Sequence, residues 1–156
     1  MTFDCTEQLG GTAELDFYLL TETSNWPVVL TDQTSADIVF TSEPVSVAAT
    51  IDEDSIKASA TQRTKAEGSL WRVSLKLTFI TRSEALEQLL DQYQNKPGIV
   101  KLKLNNNFQK IFGTNTQPLY MNFTVDEGES VDDKKAATKV TIKGVTSQRP
   151  VYYTVI

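Results

Sequence analysis

The chain has no histidine and only one cysteine in 156 residues. Without imidazole it lacks the commonest general base at neutral pH, the commonest metal ligand and every catalytic triad built on histidine. A lone thiol, Cys5, can form neither an intrachain disulfide nor a cysteine metal cluster. Long apolar runs are missing too. No stretch of about 18 apolar residues could cross a membrane as a helix. Met1 to Gly11 carries neither the basic start nor the apolar stretch of a secretory signal, so the chain is expected to be soluble where it is made. Basic excess is also lacking. A net charge of −5 repels phosphates and argues against gripping nucleic acid unless a strongly segregated basic face exists. The lysines of Lys101 to Lys110 and Lys134 to Lys143 alternate with apolar residues, which marks the wet side of strands.

What is present is alternation. Leu15, Phe17 and Leu19 face away from Glu14 and Asp16 in a half-buried strand. Residues 1–12 before it read as an arm. Pro27 confines Val28-Val29-Leu30 to an edge or a strand start, and a short strand is expected over Ala36 to Thr41. Val45, Val47, Ala49 and Ile51, the acidic turn Asp52 to Ser55, and Ile56, Ala58 and Ala60 read as a hairpin arm over 44–64 with mostly small side chains. Its few large apolar residues cannot offset the entropy of ordering it alone. It is therefore expected either to be mobile in the free protein or to lie against another chain, with Val45, Val47, Ile51, Ile56, Ala58 and Ala60 as interface candidates.

Trp71, Val73, Leu75, Leu77 and Phe79 form the cleanest strand face, and Trp71 in that phase reads as core. A helix of about residues 83–94 follows, capped by Thr81 with Glu84. It carries one apolar stripe of Leu86, Leu89, Leu90 and Tyr93, ends at Asn95, Pro97 and Gly98, and is suited to covering a sheet. Strands then recur around Val100, Leu102 and Leu104, a turn at Asn105 to Asn107, Phe108 to Phe112, a turn at Gly113 to Gln117, and Leu119 to Val125. After an acidic loop at 126–136 come Thr138 to Ile142 and Val151 to Val155. The expected fold is a single mainly β domain over 1–156: an antiparallel β-sandwich or partly closed barrel of about nine strands with one short helix.

No reactive constellation emerges. The acids cluster in turns, where carboxylates keep ordinary pKa values and poor preorganisation. The 126–136 loop lacks the ligand pattern of an EF-hand, so neither a metal nor a cofactor is assigned. Gly10-Gly11 is followed by a strand and no Lys-Ser/Thr, so it is not a phosphate loop. Asn122-Phe123-Thr124 matches a glycosylation sequon by chance within a strand. Trp26 beside Pro27 is the aromatic best placed for an interface. Catalytic residues are not expected, and the chain reads as a non-enzyme.

The order of elements, a small-residue hairpin, a hydrophobic strand, one capped helix and further strands, resembles phage tail-tube proteins and their relatives. The stretch IVKLKLNNNFQKIFGTNTQPLYMNFTVDEGESVDDKKAATKVTIKGVTSQRPVYY, Ile99 to Tyr153, is similar to small structural proteins of phages of gut Bacteroidetes, including crAss-like phages. Where many relatives place a glycine after the acidic loop, Lys135-Ala136-Ala137 stand here. The resemblance implies a virion tail subunit, made in the host bacterial cytoplasm. It would close with its own copies into a ring, commonly hexameric, around a conduit through which DNA passes without sticking, and would contact other tail or connector proteins. Two alternatives share much of the pattern: a head–tail connector or tail-terminator ring, and a fibre or surface β-sandwich that binds a ligand through Trp26 or the Gly113 to Gln117 turn.

Overall fold

The computed structural model describes residues 2–4, 12–41, 57–65, 68–79, 84–104, 108–126 and 137–153. They form a mainly β fold in which one antiparallel sheet curls into a half-barrel, with a single α-helix. Its strands are β1 (Thr2–Asp4), β2 (Thr12–Leu19), β5 (Lys57–Lys65), β6 (Gly68–Phe79), β7 (Pro97–Leu104), β8 (Gln109–Phe112), β9 (Leu119–Asp126), β10 (Ala137–Thr146) and β11 (Val151–Tyr153). The two-residue strands β3 (Thr23–Ser24) and β4 (Val39–Phe40) pair separately.

β7 is the branch point. One edge pairs with β2. Along the other edge, Val100 to Lys103 pair with β8, whereas Pro97 and Gly98 pair with β9. One wing runs β7-β8-β11 and the other β7-β9-β10-β6-β5. β8 and β9 thus lie end to end along β7, separated by an excursion over 113–118. Gly113 opens that excursion at φ 89°, a left-handed conformation that favours glycine. The excursion between β10 and β11 runs beside it, and Gln117 Oε1 accepts from both the backbone N–H (2.7 Å) and the hydroxyl (2.9 Å) of Ser147.

The main core fills the hollow of the sheet. Leu15 and Phe17 of β2, Val73 to Phe79 of β6, Val100 and Leu102 of β7, and Val140 and Ile142 of β10 point inward at period two. Helix α1 (Glu84–Tyr93) closes the hollow with Leu86, Leu89, Leu90 and Tyr93, the stripe expected from its spacing. Asn95, at φ 58°, ends the helix, and its N–H reaches Met121 O at 3.0 Å. β7 begins two residues later at Pro97, where a missing N–H costs the ladder least. Gly98 permits the next close approach, because a Cβ there would lie 2.5 Å from both Phe17 Cζ and Tyr18 O.

A second core lies on the opposite face of β2, β7, β8 and β11. Ile99, Ile111 and Val151 meet Leu30 and Ile38, with Tyr18, Leu20, Trp26, Phe40 and Tyr153 around them. The segment 20–41 supplies this layer, and it differs from the sequence expectation. Val28-Val29-Leu30 is not a strand, and the strand expected over Ala36 to Thr41 shrinks to Val39–Phe40. Side chains hold the segment instead. Thr31 and Thr34 bond each other's backbone, Asn25 Nδ2 donates to Asp37 O at 2.9 Å, and Trp26 Nε1 donates to Thr23 Oγ1 at 2.9 Å. The layer also overturns the expectation that Lys101 is on a wet face. Its ammonium lies 5.1 Å from the Phe40 ring centre and 4.4 Å from that of Tyr153. Within the expected N-terminal arm, Thr2–Asp4 pairs with β2, because three residues too short to show periodicity can still complete a free edge.

Candidate assembly surfaces

The wings end in different ways. On β11, Tyr152 N–H donates to Asp32 Oδ1 and Tyr152 O accepts from Ser35 Oγ, both at 2.8 Å. Both backbone groups of this residue are thus taken by the 20–41 layer, and the edge is closed to a further strand. Arg149 Nη2 holds the second Asp32 oxygen at 2.8 Å. The Asp32 carboxyl is held below its usual range first by the hydrogen bond from Arg149 and then by that from Tyr152 N–H. On β5, by contrast, Lys57 to Ser59 and Thr61 to Thr64 are exposed and Ala60 is half-buried. β6 is the only described strand that pairs with β5. Among the described residues one side of this nine-residue strand is unpaired, and between the charges of Lys57 and Arg63 its central Ala58 to Thr61 stretch is the part that can accept a strand.

Between the two wing ends runs an open groove of about 490 Å³, lined by Ala58, Ala60, Trp71, Phe112, Lys110 and Tyr152, with Arg149 and Pro150 at its rim. Lys110 Nζ sits 4.7 Å from the Tyr152 ring centre, and Phe108 meets the same ring edge-on. Trp71 follows the core phase of β6, but it lies where the core gives out and is only half-buried.

Of the interface candidates, Ala58 and Ala60 share this groove, whereas Val45, Val47, Ile51 and Ile56 lie outside the described residues, as do the Thr81 cap and most of the acidic loop at 126–136. Trp26 is elsewhere. It is half-buried against the second core and lines a cleft of about 360 Å³ with Val28, Val29 and the 114–117 turn. The two places singled out by sequence for ligand binding therefore meet in one cleft, beside Val28 at 104% and Val29 at 63% exposure.

Sequence reasoning missed the outer face of β5, β6 and β10. Lys57 and Arg63, Arg72 and Lys76, and Lys139 and Lys143 all fall on the side opposite the core. No aspartate or glutamate occurs in these three strands. None of the six cations has an ion-pair partner among the described residues. Lys57, Lys76 and Lys139 surround one shallow depression of about 350 Å³, and Arg72, Lys76 and Lys143 flank another of about 400 Å³. Alternation showed each strand's wet side, but not that the chain orders these strands β5-β6-β10 and so gathers the charge.

Little in the described residues resembles reactive chemistry. No three His, Cys, Asp or Glu side chains among them come close enough to hold a metal ion. Burial raises the Tyr93 phenol above its usual pKa, and the nearby Glu22 charge adds to the rise. Asp16 is 8% exposed with one carboxylate oxygen unbonded, directly across the ladder from Lys101. No described helix is long and apolar enough to cross a membrane. Comparisons with protein-family models, curated proteins and solved structures found no match.

Proposed function

We propose that the protein is a structural virion subunit that joins copies of itself through sheet edges into a tail-tube-like ring around a DNA conduit. The observation that carries this reading is the asymmetry of the half-barrel: β11 is capped by Asp32 and Ser35, while β5 has a side unpaired among the described residues, with Ala58 and Ala60 beside a groove. The sheet path ends at two different strands, β5 and the three-residue β1, so β5 of one copy laid against β1 of the next makes a directional, heterologous contact, which closes into a ring when the rotation per subunit allows. The protein then works by shape and does no covalent chemistry. A conduit that DNA traverses without sticking also requires the basic outer face to point away from the lumen or to be covered by a neighbour.

Negative-stain microscopy of the concentrated protein tests this. Rings or tubes with a central hole are expected. The double variant Ala58→Lys, Ala60→Lys should remove them, and because Ala60 also packs against the main core, Ala58→Lys alone at its exposed position should weaken them without changing the circular dichroism spectrum. Rings that persist in the double variant, or a wild type that stays monomeric even with purified virion parts, would sink the reading. A connector or terminator ring shares this geometry and differs in copy number per particle. The cleft joining Trp26, Val28, Val29 and 114–117 favours a second reading, a monomeric attachment module.

A further inference from the structure

The outer face of β5, β6 and β10 poses an electrostatic problem for the isolated chain. Lys57 and Lys76 are direct cross-strand partners, a like-charge pair that destabilises a sheet. Lys143, Arg72 and Arg63 continue diagonally, one strand and two residues per step, which places them roughly 8 Å apart. Ser59, Ser74, Thr61 and Thr141 lie between them, and Val145, across from Arg72, is the exposed apolar side chain beside them. A molecule of net charge −5 that places six cations on one face leaves −11 on everything else. By sequence, five of those acids fall in the eight residues from Asp126 to Asp133.

We propose that this face is the docking surface for a second copy of the chain, which presents its acid-rich Asp126 to Asp133 stretch to the six cations. Charge complementarity selects this occupant. The chain carries both halves of the contact, which can form head to tail or be exchanged twice about a two-fold axis. A nucleic acid is the weaker fit. A phosphate backbone would meet the cations but also a molecule acidic everywhere else, and Tyr120 is the one exposed aromatic on the adjoining strand β9 for a base to stack upon. The inference rests on the self-assembling part of the reading above and concerns a different surface from the β5 edge.

Sedimentation of the full chain at about 50 mM and about 0.5 M salt, where screening lengths differ severalfold, tests it. The self-association constant should fall at least about tenfold at the higher salt. Lys76→Glu with Lys143→Glu cuts the face from +6 to +2, and Asp132→Lys with Asp133→Lys cuts the stretch from −5 to −1, so each weakens one half of the contact. Each variant alone should lose self-association by at least about tenfold, and an equimolar mixture of the two should recover it. All four positions are solvent-facing or in a polar stretch, and the neutral pair Lys76→Gln, Lys143→Gln should give an intermediate loss. Salt-insensitive association, a mixture that fails to recover, or a wild type that stays monomeric at low salt would each overturn the proposal. So would salt-dependent binding of a short DNA duplex that the Lys76→Glu, Lys143→Glu variant abolishes without changing self-association. Assembly that survives both charge variants removes this inference alone. Loss of rings only in the Ala58→Lys, Ala60→Lys variant assigns assembly to the strand edge.

Discussion

The half of the sheet around β2, β7, β8 and β11 is covered on both faces, whereas the half around β9, β10, β6 and β5 is covered on one. In the first half, neighbouring residues serve opposite cores: Ile99 and Ile111 face the 20–41 layer, and Val100 and Phe112 face the helix side. In the second half, every other residue meets solvent, and its outward positions are mostly lysine, arginine, serine and threonine, with Tyr120 and Val145 as the exposed large apolar residues. The difference separates two jobs. Burial on both faces makes a rigid scaffold, and a face left bare keeps surface available for contact.

Crowding by an added methyl is the sharpest way to break the comparison. Gly98→Ala, in the doubly covered half, drives a Cβ against the Tyr18 carbonyl and the Phe17 ring, neither of which can yield cheaply. A loss of about 3 kcal/mol is expected, the upper range for overpacking. Gly144→Ala, on β10, meets the tip of the buried Leu119 side chain at 2.4 Å but the nearest backbone only at 3.1 Å, so a smaller loss of about 2 kcal/mol is expected. Urea titrations of the two variants measure the gap. Equal losses would mean that the halves are equally rigid.

Replacing Lys101 probes the layer itself. The ammonium sits between Phe40 and Tyr153, so Lys101→Ala removes both a cation–π contact and the stem that fills the space. About 1 kcal/mol of stability should be lost in thermal or urea unfolding. The same substitution at Lys143 on the bare face should change stability by less than about 0.5 kcal/mol.

Asp32 gives the smallest effect and a pH signature. Its folded pKa is depressed first by Arg149 and then by Tyr152 N–H, so the unfolded chain takes up the proton first. The stabilisation is therefore present above the unfolded carboxyl pKa of about 4 and is lost as pH falls through the lower folded value. Asp32→Asn should lower the melting temperature slightly at pH 7 and flatten its decline below about pH 4. Both partners stand partly in solvent, so the shift is small and shrinks in salt.

Much of the single-faced half was legible in the sequence. Trp71 to Phe79, Leu119 to Val125 and Thr138 to Ile142 announce their strands by period two, and Leu86 to Tyr93 announces the helix by its stripe. The 20–41 layer was not legible, because it has no period. It is fixed by contacts remote in sequence, such as Ser35 to Tyr152, Gln148 to Leu30 and Asp32 to Arg149, which no local pattern encodes. Half of the candidate surface was visible as small residues at Ala58 and Ala60. The closed edge at Tyr152 and the basic face were hidden, since each depends on which strands become neighbours. Lys139 and Lys143 could be placed on a wet side, but only the order β5-β6-β10 sets them beside Lys57 and Arg72.

The position of β7 carries a consequence for how this protein can vary. Flanked by β2 along one margin and by β8 and β9 along the other, with packed layers above and below, Gly98 to Val100 and Leu102 are buried and have no room for an altered side chain to turn outward. Mutational drift should therefore accumulate on β5, β6 and β10 and stall here, so two diverged copies of this gene would agree along this one strand long after their exteriors had ceased to resemble each other.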